Sequence, residues 1–183
     1  MSAREETALM GNDSKQALVE RSIPFLGEVR NRTAGKDLEA WLNTTYGPDS
    51  DLYRDLARLI QVGVLEEGWA ANIEVDGPRY RRSLIAEPSA DTHYFSITAV
   101  YMHSIEPYRG QYHAHPYGEL NLVVPVDPGA ELAGPSGWQG PGWTAPAPGS
   151  HHYPEVRGGA LIALFYLPAG RISYDIRPSR SAA

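Results

Sequence analysis

Cysteine is absent from this chain of 183 residues, and lysine is nearly absent. Without cysteine the chain can form no disulfide, and it offers no thiolate nucleophile and no sulfur ligand for a structural metal. Lys15 and Lys36 are the only lysines, and both precede the part of the sequence that is rich in predicted strands. Schiff-base chemistry therefore has no candidate residue in that part.

Long apolar runs are also missing, so no segment is predicted to cross a bilayer. The residues after Met1 are polar and contain no apolar signal core. A formal net charge of −6 argues against a nucleic-acid surface, which needs clustered basic charge. We therefore expect a cytoplasmic protein that binds neither a membrane nor a nucleic acid. Nearly all of its basic residues are arginines, which suit bidentate capture of a carboxylate.

Glycine and proline are abundant, with 18 and 15 residues, and most of them follow position 75. Turn signals recur there about every 8–12 residues, as in an all-β sandwich or barrel. Period-two patterns mark strands from residue 69 onward, including single strands at 151–156 and 171–177. We predict a flexible N-terminus at 1–13, a helical segment at 14–65, a small β-barrel at 66–178 and a tail at 179–183.

The helical segment shows apolar residues at helical spacing in three places. Helices are predicted at 14–30, at 36–43 and from about residue 50 onward. Pro24 favours two short helices in place of the first predicted helix. Asp49 or Ser50 is the predicted N-cap of the third helix, and Gly63 is its predicted end. We expect this segment to pack on the barrel or to form the contact of a homodimer.

Two histidines and a glutamate form an H-x-H-x3-E array from His113 through His115 to Glu119. Residues two apart on a strand point to the same face, so both imidazoles can hold one ion. Pro116 and Gly118 break the strand, and the chain can then bring the carboxylate back to the same point. A distant histidine pair, His151-His152, follows a Gly- and Pro-rich run. This pattern is typical of an open catalytic metal site.

The array resembles the first motif of the cupin superfamily, whose second motif supplies one more histidine. That resemblance implies a mainly β, cupin-like small barrel (a double-stranded β-helix) with an N-terminal helical segment. The second motif reads P-x-G-x-x-H. Counting from Pro146 gives His151, and counting from Gly149 gives His152. We favour His152, because the glycine turn directly sets the register of the strand.

Three longer stretches resemble the bacterial 4-hydroxylaminobenzoate lyases. They are HAHPYGELNLVVP at 113–125, PGSHHYP at 148–154 and GALIALFYLP at 159–168. The resemblance implies an enzyme of nitroaromatic degradation that converts 4-hydroxylaminobenzoate and water to protocatechuate and ammonia. Its partner would be a small aromatic acid substrate.

The predicted site has three groups of residues. The metal ligands are His113, His115, Glu119 and His152, for a divalent Fe, Mn, Ni or Zn ion. Glu119 and His115 are the predicted catalytic residues, with Glu119 either a ligand or a proton shuttle. The predicted substrate-binding residues are Arg79 or Arg81 for the carboxylate and Tyr101, Tyr117 and Trp143 for the ring.

Two other functions share these features. A cupin oxygenase or isomerase would use the same metal on another small organic acid. A non-catalytic, ligand-sensing cupin would use the helical segment to contact a partner. Turnover of a hydroxylaminoarene without O2 would indicate the lyase, and O2 consumption would indicate the oxygenase. Ligand-dependent partner binding without turnover would indicate the sensing protein.

Overall fold

The computed structural model describes residues 3–179, and the side chains from residue 13 onward. Three helices come first: α1 (Ala3–Val29), α2 (Lys36–Thr45) and α3 (Asp51–Gln61), the last followed by a π-helical turn at Val62–Glu66. No helix in this part of the chain is both long and apolar enough to cross a membrane. Of the predicted tail at 179–183, residues 180–183 lie outside the described range.

Twelve short strands follow, and all their pairings are antiparallel. They are β1 (Ile73–Glu74), β2 (Tyr80–Ala86), β3 (Phe95–Ser104), β4 (Tyr108–Arg109), β5 (His113–His115), β6 (Leu120–Pro125), β7 (Glu131–Gly134), β8 (Gly137–Gln139), β9 (Gly142–Thr144), β10 (Ser150–His152), β11 (Glu155–Arg157) and β12 (Gly159–Pro168). They form sheets of six strands (β1-β2-β3-β12-β6-β9), four strands (β4-β11-β7-β8) and two strands (β10-β5). The predicted mainly β, cupin-like fold with an N-terminal helical segment is confirmed.

The six-stranded sheet is buried on both faces, because its side chains alternate between two cores. One face packs against the helices, through residues such as Leu122, Ile162 and Tyr166. The other faces the four-stranded sheet, where Val123 and Ala163 meet other apolar side chains. Strand phase therefore decides which residues can reach the interior between the sheets.

The helical segment is more continuous than predicted. Helix α1 runs through Pro24 as one helix that begins at Ala3, so it also contains most of the segment predicted to be a flexible N-terminus. Burial of Leu18, Leu26 and other apolar residues against the barrel compensates for the hydrogen bond that proline cannot make.

The boundaries of α3 were predicted with mixed success. Ser50 is the N-cap, since its hydroxyl accepts a hydrogen bond from the backbone N–H of Tyr53 at 3.2 Å. Gly63 does not end the helical stretch, and lies inside the π-helical turn. The indole of Trp69 covers Gly63 so closely that a Cβ there would lie 2.4 Å from the ring. This glycine therefore serves packing, and the terminus lies elsewhere.

Two strand predictions near the C-terminus were wrong. The single strand at 151–156 is two strands in different sheets, because Pro154 falls between them and cannot continue a ladder. The strand at 171–177 is absent, and Ser173 makes only an isolated bridge to Ala114. This C-terminal segment instead crosses the barrel near β5.

Candidate metal centre

Pairing of β5 with β10 places three histidines on one face. His152 lies directly opposite His113, and Ser150 lies opposite His115. His115 is two residues from His113 along its strand, so all three imidazoles project the same way. His151 pairs with Ala114 on the other face and is exposed. The register thus places His152, and not His151, on the same face as His113 and His115.

The three imidazoles meet at their Nε2 atoms. The separations are 3.1 Å between His113 and His115, 3.1 Å between His115 and His152, and 3.1 Å between His152 and His113. A neutral ring nitrogen carries either a hydrogen or a lone pair. Among three mutually close nitrogens at least two are of the same kind, so hydrogen bonding cannot satisfy every contact.

One cation would satisfy all three nitrogens at once. Two nitrogens bound to the same ion at about 2.1 Å, with their bonds nearly at right angles, lie about 3.0 Å apart. The observed spacing fits that arrangement, and imidazole suits Zn, Fe, Ni and Cu alike. His113, His115 and His152 therefore could hold a metal ion.

A hydrogen bond at the opposite ring nitrogen sets the orientation of one of these imidazoles. Nδ1 of His113 lies 2.9 Å from the carbonyl oxygen of Gln111 and donates to it. That bond puts the hydrogen on Nδ1 and leaves a lone pair on Nε2, as a metal ligand requires. Nδ1 of His115 lies 3.5 Å from Oε2 of Glu119 and has no closer partner among the described residues.

All three histidines are neutral near pH 7. Burial is the main cause, and each imidazole also lies beside another of the cluster or a nearby cation. Together these effects lower the pKa of His115 to about 2 and that of His152 to about 4, and they also lower the pKa of His113. Neutral imidazole is the form that binds metal.

Glu119 enters the site through the turn that follows β5. Gly118 in that turn has φ +82°, and a Cβ there would lie 2.6 Å from Cβ of Ala34, so both conformation and space require glycine. The side chain of Glu119 is almost fully buried, and burial raises its pKa to about 8. Glu119 and His115 therefore form no ion pair at neutral pH, because the His115 imidazole is neutral and the Glu119 carboxyl group largely keeps its proton. Glu119 lies against the outer nitrogen of His115 and not among the Nε2 atoms.

A cavity between the sheets opens onto this centre. It is lined by Tyr80, Arg82, Val100, Met102, His113, Glu119, Asn121, Leu132, Ala133, Thr144, His152, Pro154, Ala163, Phe165, Ile172 and Tyr174. The wall is mostly apolar, with a few polar side chains that include Arg82, Glu119 and Asn121. Such a cavity, mostly apolar with a few convergent polar groups, is typical of a small-molecule site.

The two arginines predicted to bind a substrate carboxylate lie away from this cavity. Arg79 forms an ion pair with Asp76 at 2.7 Å and stacks on Tyr108. Arg81 stacks on Tyr101, with its guanidinium carbon 4.4 Å from the ring centroid. Arg81 has the strand phase that points away from the space between the sheets, and neither arginine lines the cavity.

The three predicted aromatic walls also lie elsewhere. Tyr101 shares the helix-facing side of the sheet with Arg81. Tyr117 is exposed in the turn after β5. Trp143 is fully buried among the helices, where its indole N–H donates to the carbonyl of Tyr46 at 2.8 Å. Trp143 has no free surface with which to contact a substrate, and neither Tyr101 nor Tyr117 lines this cavity.

Arg82 and Asn121 are the polar residues that the sequence analysis missed. Arg82 is partly buried, donates to the hydroxyl of Tyr174 and lies over its ring. The signal for Asn121 was present, because it is a lone polar residue within the apolar run of β6. The signal for Arg82 was its position next to Arg81 in β2, since adjacent residues of a strand point to opposite faces.

Comparison with known proteins gives consistent matches. The profile of the 4-hydroxylaminobenzoate lyase family matches residues 20–174. A 4-hydroxylaminobenzoate lyase of Nocardioides sp. (strain LMS-CY) is 72% identical over 163 residues, covering 89% of this chain and 96% of the relative. One from Pseudomonas putida is 58% identical over 173 residues, covering 90% and 98%.

Among solved structures, a chain from the crystal structures of two DMSP lyases superposes with a TM-score of 0.43 at 17% identity, covering 91% of this chain and all of that one. Overlap at that level carries no function from one protein to the other. By contrast, the family profile matches residues 20–174, and the two lyases from Nocardioides and Pseudomonas putida are 72% and 58% identical to this chain. The chain therefore belongs to the 4-hydroxylaminobenzoate lyase family and is an enzyme, a lyase.

Proposed function

We propose that the protein converts 4-hydroxylaminobenzoate and water to protocatechuate and ammonia, with the help of a divalent metal ion. The observation that carries the proposal is one cavity that joins the three-histidine cluster, a buried carboxyl group and a single arginine. The relatives of this chain in Nocardioides and Pseudomonas putida are named for a substrate with a carboxylate at one end and a hydroxylamine at the other. The cavity has a group suited to each end.

The reaction balances without an outside oxidant or reductant. The N–O bond breaks, and the departing oxygen takes up a proton and leaves as water. A first water adds to the adjacent ring carbon, and a second hydrolyses the resulting ring imine, which releases ammonia. Loss of a ring proton then restores aromaticity. The nitrogen gains two electrons and the ring loses two, so one water is consumed overall.

Arg82 is the proposed partner of the substrate carboxylate. It is the arginine that lines the cavity, and a guanidinium can bind a carboxylate through two parallel hydrogen bonds. Tyr174 already holds the guanidinium in place through its hydroxyl and ring. The apolar wall formed by Val100, Ala163 and Phe165 would exclude water from the faces of the benzene ring.

Departure of the hydroxyl group needs a proton donor close to the polar end of the cavity. Glu119 is the buried carboxyl group there, within 3.5 Å of His115. A carboxylic acid that keeps its proton at neutral pH can serve as a general acid, as burial favours for Glu119. A metal ion bound by His113, His115 and His152 would supply Lewis acidity and an activated water.

Turnover of the purified protein tests the proposal. Incubation with 4-hydroxylaminobenzoate under anaerobic conditions, without NAD(P)H, should release ammonia and a catechol in equal amounts. Chelation should abolish the activity, and one added divalent metal should restore it, with metal content measured alongside. Consumption of O2 in step with product would support the oxygenase alternative and overturn the lyase reaction. Full activity in a protein proved free of metal would overturn metal assistance alone.

A further inference from the structure

Asn121 is a buried polar residue in the middle of an apolar strand. Its side chain is 6% exposed, and its neighbours Leu120 and Leu122 point to the opposite face, into the helix-packed core. Asn121 itself lines the cavity beside the three-histidine cluster. An apolar residue would fill this position at lower cost, since burying an amide is unfavourable unless its hydrogen bonds are made.

The acceptor of this amide is unsatisfied. Oδ1 of Asn121 is buried and has no hydrogen-bond partner among the residues whose side chains the structure describes. A buried acceptor left without a donor is rare enough to indicate a ligand.

Strand order fixes where this acceptor lies relative to Arg82. Asn121 is on β6 and Arg82 on β2, and the two strands are separated by β12 and β3. Three strand spacings amount to about 14 Å along the sheet, and curvature shortens the direct path. A para-substituted benzoate with one hydrogen bond at each end spans on the order of 12 Å. Arg82 and Asn121 therefore line one cavity from strands that are not neighbours, and one molecule lying along the sheet can contact both.

We propose that Oδ1 of Asn121 accepts a hydrogen bond from the para substituent of the substrate, and so selects benzoates whose para group carries N–H or O–H. This inference rests on the proposed function and adds the residue that recognises the hydroxylamino end. Hydroxylamino, amino and hydroxy groups can donate to Oδ1. Nitro and nitroso groups of similar size cannot, and they would leave the acceptor unsatisfied.

Binding of two non-reacting analogues tests the proposal without turnover. The dissociation constants of 4-aminobenzoate and 4-nitrobenzoate would be measured by calorimetry on the metal-loaded protein and on Asn121→Leu, which keeps the size of the side chain. The wild type should favour the amino compound about tenfold relative to the leucine variant, as expected for one buried hydrogen bond. The amino-to-nitro ratio of dissociation constants in the wild type is divided by the same ratio in the variant. This division removes the intrinsic difference between the two analogues.

Thr98→Val is the matched control. Thr98 is a buried polar residue in the same cross-strand row, paired with Phe165, and it lies outside the cavity. Its replacement should leave the amino-to-nitro ratio unchanged. If Asn121→Leu does not fold, Asn121→Ser removes the same acceptor position and should lose the same preference.

An unchanged ratio in both Asn121 variants, or equal weakening of both analogues, would overturn the inference and assign the amide to structure or to a bound water. The outcome is distinguishable from failure of the proposed reaction. Ammonia release together with an unchanged ratio defeats only the role of Asn121. The expected ratio in a protein that releases no ammonia supports that role and defeats only the reaction.

Discussion

Replacing Arg82 with glutamine should weaken binding of 4-hydroxylaminobenzoate by one to two orders of magnitude. Arg82 is partly buried and is held by the hydroxyl and ring of Tyr174 at the wall of the cavity. Glutamine keeps a hydrogen-bonding side chain of moderate length but removes the charge. The expected loss is therefore that of the charge-assisted pair with the substrate carboxylate.

The magnitude follows from the kind of bond that is lost. A hydrogen bond between charged groups contributes about 1.5–3 kcal/mol, and each 1.4 kcal/mol is a factor of about ten, so KM should rise about 10- to 100-fold. The same substitution also removes the contacts of Arg82 with Tyr174. That second loss does not depend on the substrate, so it must be separated from the first.

A substrate without the carboxylate makes the separation. Steady-state kinetics would be measured with 4-hydroxylaminobenzoate and with phenylhydroxylamine, for the wild type and for Arg82→Gln. Only the benzoate should show the large rise in KM, because only it loses a charged partner. Arg81→Gln is the control, since Arg81 has the same charge on the same strand but stacks on Tyr101 at the other face.

Two results would refute the reasoning. Equal effects of Arg82→Gln on both substrates would make this arginine a structural residue. A benzoate-specific rise in KM for Arg81→Gln would mean that the substrate binds on the helix-facing side, where Arg81 stacks on Tyr101. Thermal unfolding of each variant shows whether the fold is retained.

Three further outcomes are expected. His152→Ala should lower bound metal, measured by elemental analysis, whereas His151→Ala should keep it; equal loss in both would refute the register argument. Ser50→Ala should lower the free energy of unfolding in urea by about 1 kcal/mol and Ser50→Asp by much less, because aspartate still caps α3; equal losses would show that the cap contributes nothing. Burial raises the pKa of Tyr53 to about 12, so the folded state keeps a proton that the unfolded state loses above about pH 10. Between pH 10 and 12 the wild type should therefore lose stability more steeply than Tyr53→Phe, and parallel slopes would contradict this.

Much of the three-histidine cluster could be predicted from local pattern. His113 and His115 are two apart on one strand, and this spacing alone sets them on one face. The glycine turn before β10 favoured His152 over His151, and the pairing of β10 with β5 agrees. Both inferences are possible from sequence because strand periodicity and turn chemistry are properties of neighbouring residues.

The substrate-binding residues could not be predicted in the same way. Alternation along β2 places Arg81 and Arg82 on opposite faces of the strand, but it does not say which face is the interior of the barrel. Both faces of the six-stranded sheet are buried, one by helices and one by the second sheet, so hydrophobicity marks neither as special. Tyr101 and Trp143 were predicted as aromatic walls of the pocket, but Trp143 lies in the helix-packed core and Tyr101 packs against it.

By itself the sequence determined the mainly β fold, the helical lead and the shared strand face of His113 and His115, since each depends on the periodicity of a short segment. Only the tertiary structure decided which side of the central sheet contains the cavity. That choice depends on contacts between residues far apart in the chain, such as Asn43 of α2 with Trp143 and Ser22 of α1 with Tyr166. Once the helices cover one face, the other face becomes the interior, and Arg82 and Asn121 become its polar residues.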